Sequence, residues 1–150
     1  MGRYRRTLLS YASGNVMEIG CGTGLNLSHY SSKVDSLLGI DWSETMLVEA
    51  FGRLQELRNE EMRRESLTVE ERLLEDKARD KEEVKVDLPK EVKFIRADCL
   101  DLHEELSEDG QFDCVVDTLT LNSCYNREQL ASEMRRLCKP GGLILLLERG

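Results

Sequence analysis

Val16-Met17-Glu18-Ile19-Gly20-Cys21-Gly22-Thr23-Gly24 decides the fold: an apolar strand runs straight into a glycine-rich turn. A parallel strand covered on both faces reads as a short apolar run. Glycines directly after it let the backbone turn sharply and approach a ligand with no Cβ in the way. The spacing predicts a helix opening at Leu25 and running to Tyr30, its first amides turned toward that ligand with the positive end of the helix dipole. The dinucleotide fingerprint is Gly-x-Gly-x-x-Gly, its second glycine placed for a pyrophosphate. Here the spacing is Gly-x-Gly-x-Gly, and Glu18 precedes it. A carboxylate beside the turn repels a pyrophosphate and favours a ligand carrying positive charge. The residues thus point away from NAD and toward a zwitterionic amino-acid nucleotide.

Further acids stand at the ends of further strands. Ser36 to Ile40 reads as a buried strand ending in Asp41, about twenty residues past the turn, where βαβ nucleotide folds place a ribose-binding acid. Ser43 follows as a helix N-cap. Trp42 either stacks on a purine or packs under the helix, and Met46 either touches an adenine edge or belongs to the core. Val92 to Ala97 leads into Asp98-Cys99, and Phe112 to Val116 leads into Asp117-Thr118. Leu143 to Leu147 is a fifth strand after the turn Lys139-Pro140-Gly141-Gly142. In open α/β sheets the ligand crevice lies at such carboxyl ends. Glu18, Asp41, Asp98 and Asp117 in register make a site.

The series resembles the class I S-adenosylmethionine (SAM) methyltransferases along nearly the whole chain. The pattern Glu18-x-Gly20-x-Gly22-x-Gly24 looks like their first motif. Thr120-Leu121-Asn122-Ser123-Cys124-Tyr125 and Arg136 to Gly142 resemble the UbiE-type subgroup, also called type 11. Gly24 to Leu27 and Leu145 to Gly150 resemble a mitochondrial methyltransferase-like branch. The resemblance implies a Rossmann-like, doubly wound α/β fold with a mainly parallel sheet in the order 3-2-1-4-5. It implies SAM as cofactor and S-adenosylhomocysteine as product. It would place Glu18 near the methionine amino group, and Gly20, Cys21, Gly22 and Gly24 against the methionine and ribose. Asp41 would hold the ribose diol, Asp98 and the Cys99 amide the adenine, and Asp117 would lie under the methionyl part. The family's sheet has seven strands, of which the last two are not countable here. The apolar fifth strand is then an edge that another segment or chain would cover.

The 150 residues suffice for one domain, burying roughly 70% of the unfolded surface. A charged fraction of 33% is high for such a domain, and residues 58–91 explain it. This stretch reads as a charged helical insertion between strands two and three. The helix starting at Ser43 carries Met46, Leu47, Ala50, Phe51, Leu54 and Leu57 at helical spacing, and its apolar stripe fades beyond Leu57. Thr68 with Glu71 forms a capping box opening a second helix at Val69, toward Glu83. The insertion is either a solvated excursion or an arm that docks a protein partner.

A net charge of −8 disfavours a nucleic-acid surface. The basic cluster Arg3, Arg5 and Arg6 suggests a helix before the first strand, either lying over the cofactor with Tyr4 reaching inward or simply on the surface. No apolar run is long enough to span a membrane. Cys21, Cys99, Cys114, Cys124 and Cys138 lack CxxC spacing, which fits reduced thiols in an intracellular compartment, cytoplasmic or mitochondrial. No metal site is expected.

Methyl transfer from a sulfonium needs in-line alignment more than a strong acid or base. If the acceptor must lose a proton, the candidates for the base are Asp117, Tyr125 and His29. The acceptor, a small molecule or a protein, is not legible. The expected function is SAM-dependent methyl transfer. The alternatives are a methyltransferase-like scaffold that keeps the pocket without turnover and an NAD-linked enzyme.

Overall fold

A computed structural model describes residues 2–79 and 87–148. Five strands form one sheet in the order β3-β2-β1-β4-β5. These are β1 (Gly14–Ile19), β2 (Val34–Asp41), β3 (Glu91–Arg96), β4 (Phe112–Thr118) and β5 (Cys138–Leu147). Every neighbouring pair is parallel. The order expected from the glycine turn and the strand-end acids is therefore the observed one.

Strand β1 sits at the centre, and its run Val16 to Ile19 is buried on both faces. Val16 joins Leu37, Cys114 and Val116 on one face, beneath Leu9 at the end of α1 (Gly2–Leu9) and Leu54 of α2 (Glu44–Ser66). Met17 and Ile19 join Val115 on the other, beneath Leu130, Met134 and Leu137 of α5 (Arg127–Leu137). This side-to-side alternation sends Glu18 toward the layer of α1.

Two local expectations change. The predicted helix after the glycine turn is only a 3₁₀ turn, Leu27–His29. Asn26 and Tyr30, on either side of it, send their side chains inward to Glu18, and the chain reaches β2 at Val34 with no room for an α-helix. No helix dipole therefore points at the crevice from this segment. Lys139-Pro140-Gly141-Gly142, read as a turn before the fifth strand, belongs to β5 itself. The strand starts at Cys138, directly after α5, and the pairing with β4 slips by a bulge between Phe112 and Cys114. A bulge accommodates Gly141, whose φ is +78°.

The charged segment is helical as expected, its first part extending the helix capped by Ser43: α2 runs unbroken past residue 58 to Ser66. Ser43 caps it, its hydroxyl accepting from the Met46 amide. The last fully buried side chain of α2 is Leu54, Leu57 packs half-buried against the same core, and Phe51 and Met46 are exposed. After Thr68, α3 (Val69–Ala78) opens with both halves of the Thr68–Glu71 capping box formed. Its expected continuation toward Glu83 lies outside the described residues. No described helix is long and apolar enough to cross a membrane.

Candidate cofactor site

The winding of the sheet reverses between β1 and β4, and the crevice at their carboxyl ends is where such folds take a ligand. Three of the four buried polar side chains among the described residues, Glu18, Asn26 and Asp117, gather there. Burying polar groups without partners costs free energy, so each has to be accounted for.

The glycines differ in task. All three in the motif have positive φ. A Cβ on Gly20 would strike the Thr120 side chain, and one on Gly24 would come within 2.8 Å of Leu27 and 3.3 Å of the Ala50 backbone. These two let the turn pack on α4 (Thr120–Ser123) and α2. Gly22, at φ +54°, has nothing within 4 Å of that position. It faces open space, where a ligand can meet the bare backbone.

Asp41 ties this turn to the next element. Its Oδ2 accepts from the Gly22 amide and its Oδ1 from the Ser43 amide, each at 2.9 Å. The Cys21 amide donates to the Ile40 carbonyl at 3.0 Å. Beside them a cavity of about 150 Å³ is lined by Gly20, Ile40, Asp41, Trp42, Ala97, Asp98, Cys99 and Thr120. Its floor is apolar and its rim acidic. Asp98 accepts from the Leu100 amide through Oδ1 alone. Trp42 is 66% exposed, with the Arg96 guanidinium 5.4 Å from its ring centroid. Met46 stands outside this cavity lining. The Cys21 and Cys99 thiols are protonated: burial pushes both up, Cys99 to about 11.

Glu18 is 3% exposed and does not open onto the crevice. Its Oε1 accepts from Asn26 Nδ2 at 2.7 Å and its Oε2 from the Tyr30 hydroxyl at 2.8 Å. Burial pushes its carboxyl up to about 7, against the lowering effects of Tyr30, Asn26 and Arg5. The Asn26 amide also donates to Thr118 Oγ1 at 3.0 Å, bridging the turn to β4. Neither Asn26 nor Tyr30 was singled out in the sequence. The signal that finds them is the need of a buried acid for nearby donors.

The three candidate bases are not brought together. Asp117 is fully buried and caps α4, Oδ1 accepting from the Thr120 amide and Oδ2 from the Leu121 amide, both at 2.8 Å. Tyr125 is 90% exposed in the turn before α5. His29 is half-buried toward α1, and burial together with Arg5 and Arg6 lowers its pKa and keeps it neutral. Tyr4 lines a different groove, with Arg3, Thr7, Leu8, Tyr11 and Leu147. Beyond β4, Leu119 takes a left-handed φ of +80°. Such a residue costs about 1–3 kcal/mol and concentrates at functional sites. Its amide bond to the Leu147 carbonyl and the Asp117 cap hold it.

The family described as "Methyltransferase domain" matches residues 17–146, from the middle of β1 almost to the end of β5. The chain belongs to that family. It is a class I methyltransferase domain, and SAM is its cofactor. The phosphatidylethanolamine N-methyltransferase of Cereibacter sphaeroides is 29% identical over 134 residues, covering 89% of this chain and 50% of that protein. The mitochondrial methyltransferase OMS1 of Saccharomyces cerevisiae is 26% identical over 151 residues, covering 100% of this chain and 28% of that protein. The chain thus spans half or less of the length of these relatives. The solved structure of the YcgJ protein of Bacillus subtilis shares the fold, with a TM-score of 0.63 and 21% identity over 97% of this chain and 48% of that one. The residues of this methyltransferase domain fit the cofactor: open space at Gly22, acids at neighbouring strand ends and an apolar floor between them.

Proposed function

We propose that the protein transfers the sulfonium methyl group of SAM to an acceptor by in-line displacement, with this domain holding the cofactor. The observation that carries the reading is the open space at Gly22, whose amide Asp41 holds, together with the cavity that Asp41 and Asp98 line. When bound, SAM supplies a methyl group on a positively charged sulfur that is already a good leaving group.

Asp41 would accept the ribose hydroxyls with the lone pairs its two backbone contacts leave over. Asp98 Oδ2 and the Cys99 amide would read the adenine edge, over the Ile40 and Ala97 floor and beside Trp42. Gly20, Cys21, Gly22 and Gly24 would present bare backbone to the methionine and ribose. Glu18 and Asp117 would act from beneath, one as buried charge and one as the cap of α4.

None of the three candidate bases is poised for proton removal: Asp117 caps α4, Tyr125 stands exposed before α5 and His29 lies toward α1. An amine acceptor suits such a site, because its nitrogen attacks with its own lone pair and loses its proton afterwards. The phosphatidylethanolamine methyltransferase relative makes a lipid amine the first acceptor to test. In support, the groove between α1 and the end of β5 holds about 620 Å³ and is lined by Tyr4, Leu8, Tyr11 and Leu147 beside Arg3. This suits an amphiphile with an anionic group. A UbiE-type subgroup and a mitochondrial location belong to the same proposal, the latter on the likeness to OMS1.

The test is methyl-labelled SAM offered to the full-length protein with phosphatidylethanolamine vesicles. Label in the lipid, lost in Asp41→Ala, is the expected result. Cofactor binding with no label in any amine lipid would remove the lipid acceptor and leave the cofactor assignment standing.

A further inference from the structure

Glu18 differs from the other buried acids in the quality of its partners. Asp117 receives two backbone amides. Glu133 receives the Leu102 amide and the Arg136 guanidinium. Glu18 receives a phenol and a carboxamide, both neutral, and no backbone amide. A buried carboxylate whose hydrogen-bond donors are all neutral is poorly compensated; Arg5 favours its charge through its field, with no hydrogen bond to Glu18 among the described residues.

Asn26 shows the same tension from the other side. It is 2% exposed, its Nδ2 serves Glu18 and Thr118, and its Oδ1 is buried with no partner. If Glu18 is protonated on Oε2, its hydroxyl donates to the Tyr30 oxygen while Oε1 still accepts from Asn26 Nδ2. With Glu18 ionised, Tyr30 and Asn26 both donate to it. The cluster therefore has two hydrogen-bonding arrangements, one for each protonation state.

We infer that Asn26 and Tyr30 are positioning residues that hold Glu18 as a proton-exchanging counter-charge beneath the crevice, so that the cationic cofactor binds with proton release and is favoured over its neutral-sulfur product. This rests on the cofactor reading above. In the free protein Glu18 exchanges between the two arrangements near neutral pH. With a cation held above Gly20 the ionised arrangement is preferred, and the proton leaves for solvent. S-Adenosylhomocysteine lacks the sulfonium charge and drives less of this exchange.

The groups facing Glu18 agree with this. Arg5 on α1 favours the ionised form and Asp117 on β4 opposes it. Tyr30 has its pKa raised well above the phenol range by burial, so it donates and does not ionise. The neighbouring Cys21 and Cys114 thiols are both pushed up by burial, Cys114 to about 12, and stay protonated.

A fall of one unit in the Glu18 pKa on binding makes SAM affinity rise about fivefold from pH 6 to 8 and releases roughly 0.4 proton at pH 7. The measurement is calorimetric titration of the full chain with SAM and with S-adenosylhomocysteine, in buffers of different ionisation enthalpy. Glu18→Gln is run alongside to cancel titration of the ligands' own amino groups. The parent should show the proton release and pH slope with SAM, less of both with the product, and Glu18→Gln neither. Tyr30→Phe removes a donor to the ionised form and should move the transition to higher pH; it also serves if Glu18→Gln fails to fold. Equal slopes for both ligands, or a Tyr30→Phe transition that does not move, would overturn the inference. Binding of neither ligand to the parent would instead overturn the cofactor reading beneath it.

Discussion

The crevice at the ends of β1 and β4 and the hairpin of α2 with α3 both depend on charge, in opposite ways. In the hairpin, Arg63 pairs with Glu75 at 2.7 Å, Arg64 with Asp76 at 2.8 Å and Arg79 with Glu60 at 2.7 Å. Most of these carboxylates are well exposed, and α3 buries no residue. Exposed pairs of this kind are screened by salt and contribute little. In the crevice a few side chains are cut off from water, and each hydrogen bond they make or miss counts. The hairpin is dense in charge, and the crevice holds the charge with consequences.

The comparison breaks most readily where α2 passes from one regime to the other. Leu54 is 4% exposed against the sheet, and Met62, two turns on, is 67% exposed. Leu54→Ala should cost about 2–5 kcal/mol, whereas Met62→Ala should stay within about 0.5 kcal/mol. Urea denaturation of the two variants checks this. Equal effects would mean that the far half of α2 is packed after all.

Glu18 gives the next largest effect, and its sign is opposite to that of an ordinary salt-bridged acid. Burial raises its carboxyl from 4.5 to about 7, so the folded state holds the extra proton between those values. Stability is then highest below the unfolded pKa and falls as pH rises through that window, by about 3 kcal/mol. Glu18→Gln should flatten this fall, read as the difference in melting temperature from the parent between pH 4.5 and 8. A parent and variant that stay parallel would contradict the buried-acid account.

Smallest is the hairpin. Arg63→Ala and Glu75→Ala, alone or together, should leave the melting temperature within about 3 °C of the parent. A larger drop would show that these pairs, linked through Arg64 and Glu75, act cooperatively.

Strand order was legible because each strand carries its own signal: an apolar run, then an acid or a glycine. The capping box at Thr68 and the N-cap at Ser43 were legible for the same reason, since both are local chemistry. The 3₁₀ turn was not, because Asn26 and Tyr30 are pulled inward by Glu18, a tertiary contact that overrides the local preference for a helix. The bulged start of β5 was hidden by Pro140 and Gly141, which read as a turn unless β4 is known to lie alongside. Of the site, the residues that touch open space (Gly22, Asp41, Asp98) could be named from spacing. The residues that work beneath it, Asn26 and Tyr30, emerge only once one asks what a buried Glu18 can hydrogen-bond.

The most direct test of the central claim, that the Gly22 crevice holds the cofactor, is thermal unfolding titrated with S-adenosylhomocysteine, comparing the parent with Gly22→Asp. Ligand at about a hundred times its dissociation constant adds roughly 2.7 kcal/mol, a rise of about 5–10 °C for a domain of this size. Aspartate tolerates a left-handed φ, so the variant should fold, and its side chain fills the open space with a charge. The account predicts a rise in the parent that Gly22→Asp loses. An equal rise in both proteins would place the ligand elsewhere and contradict it.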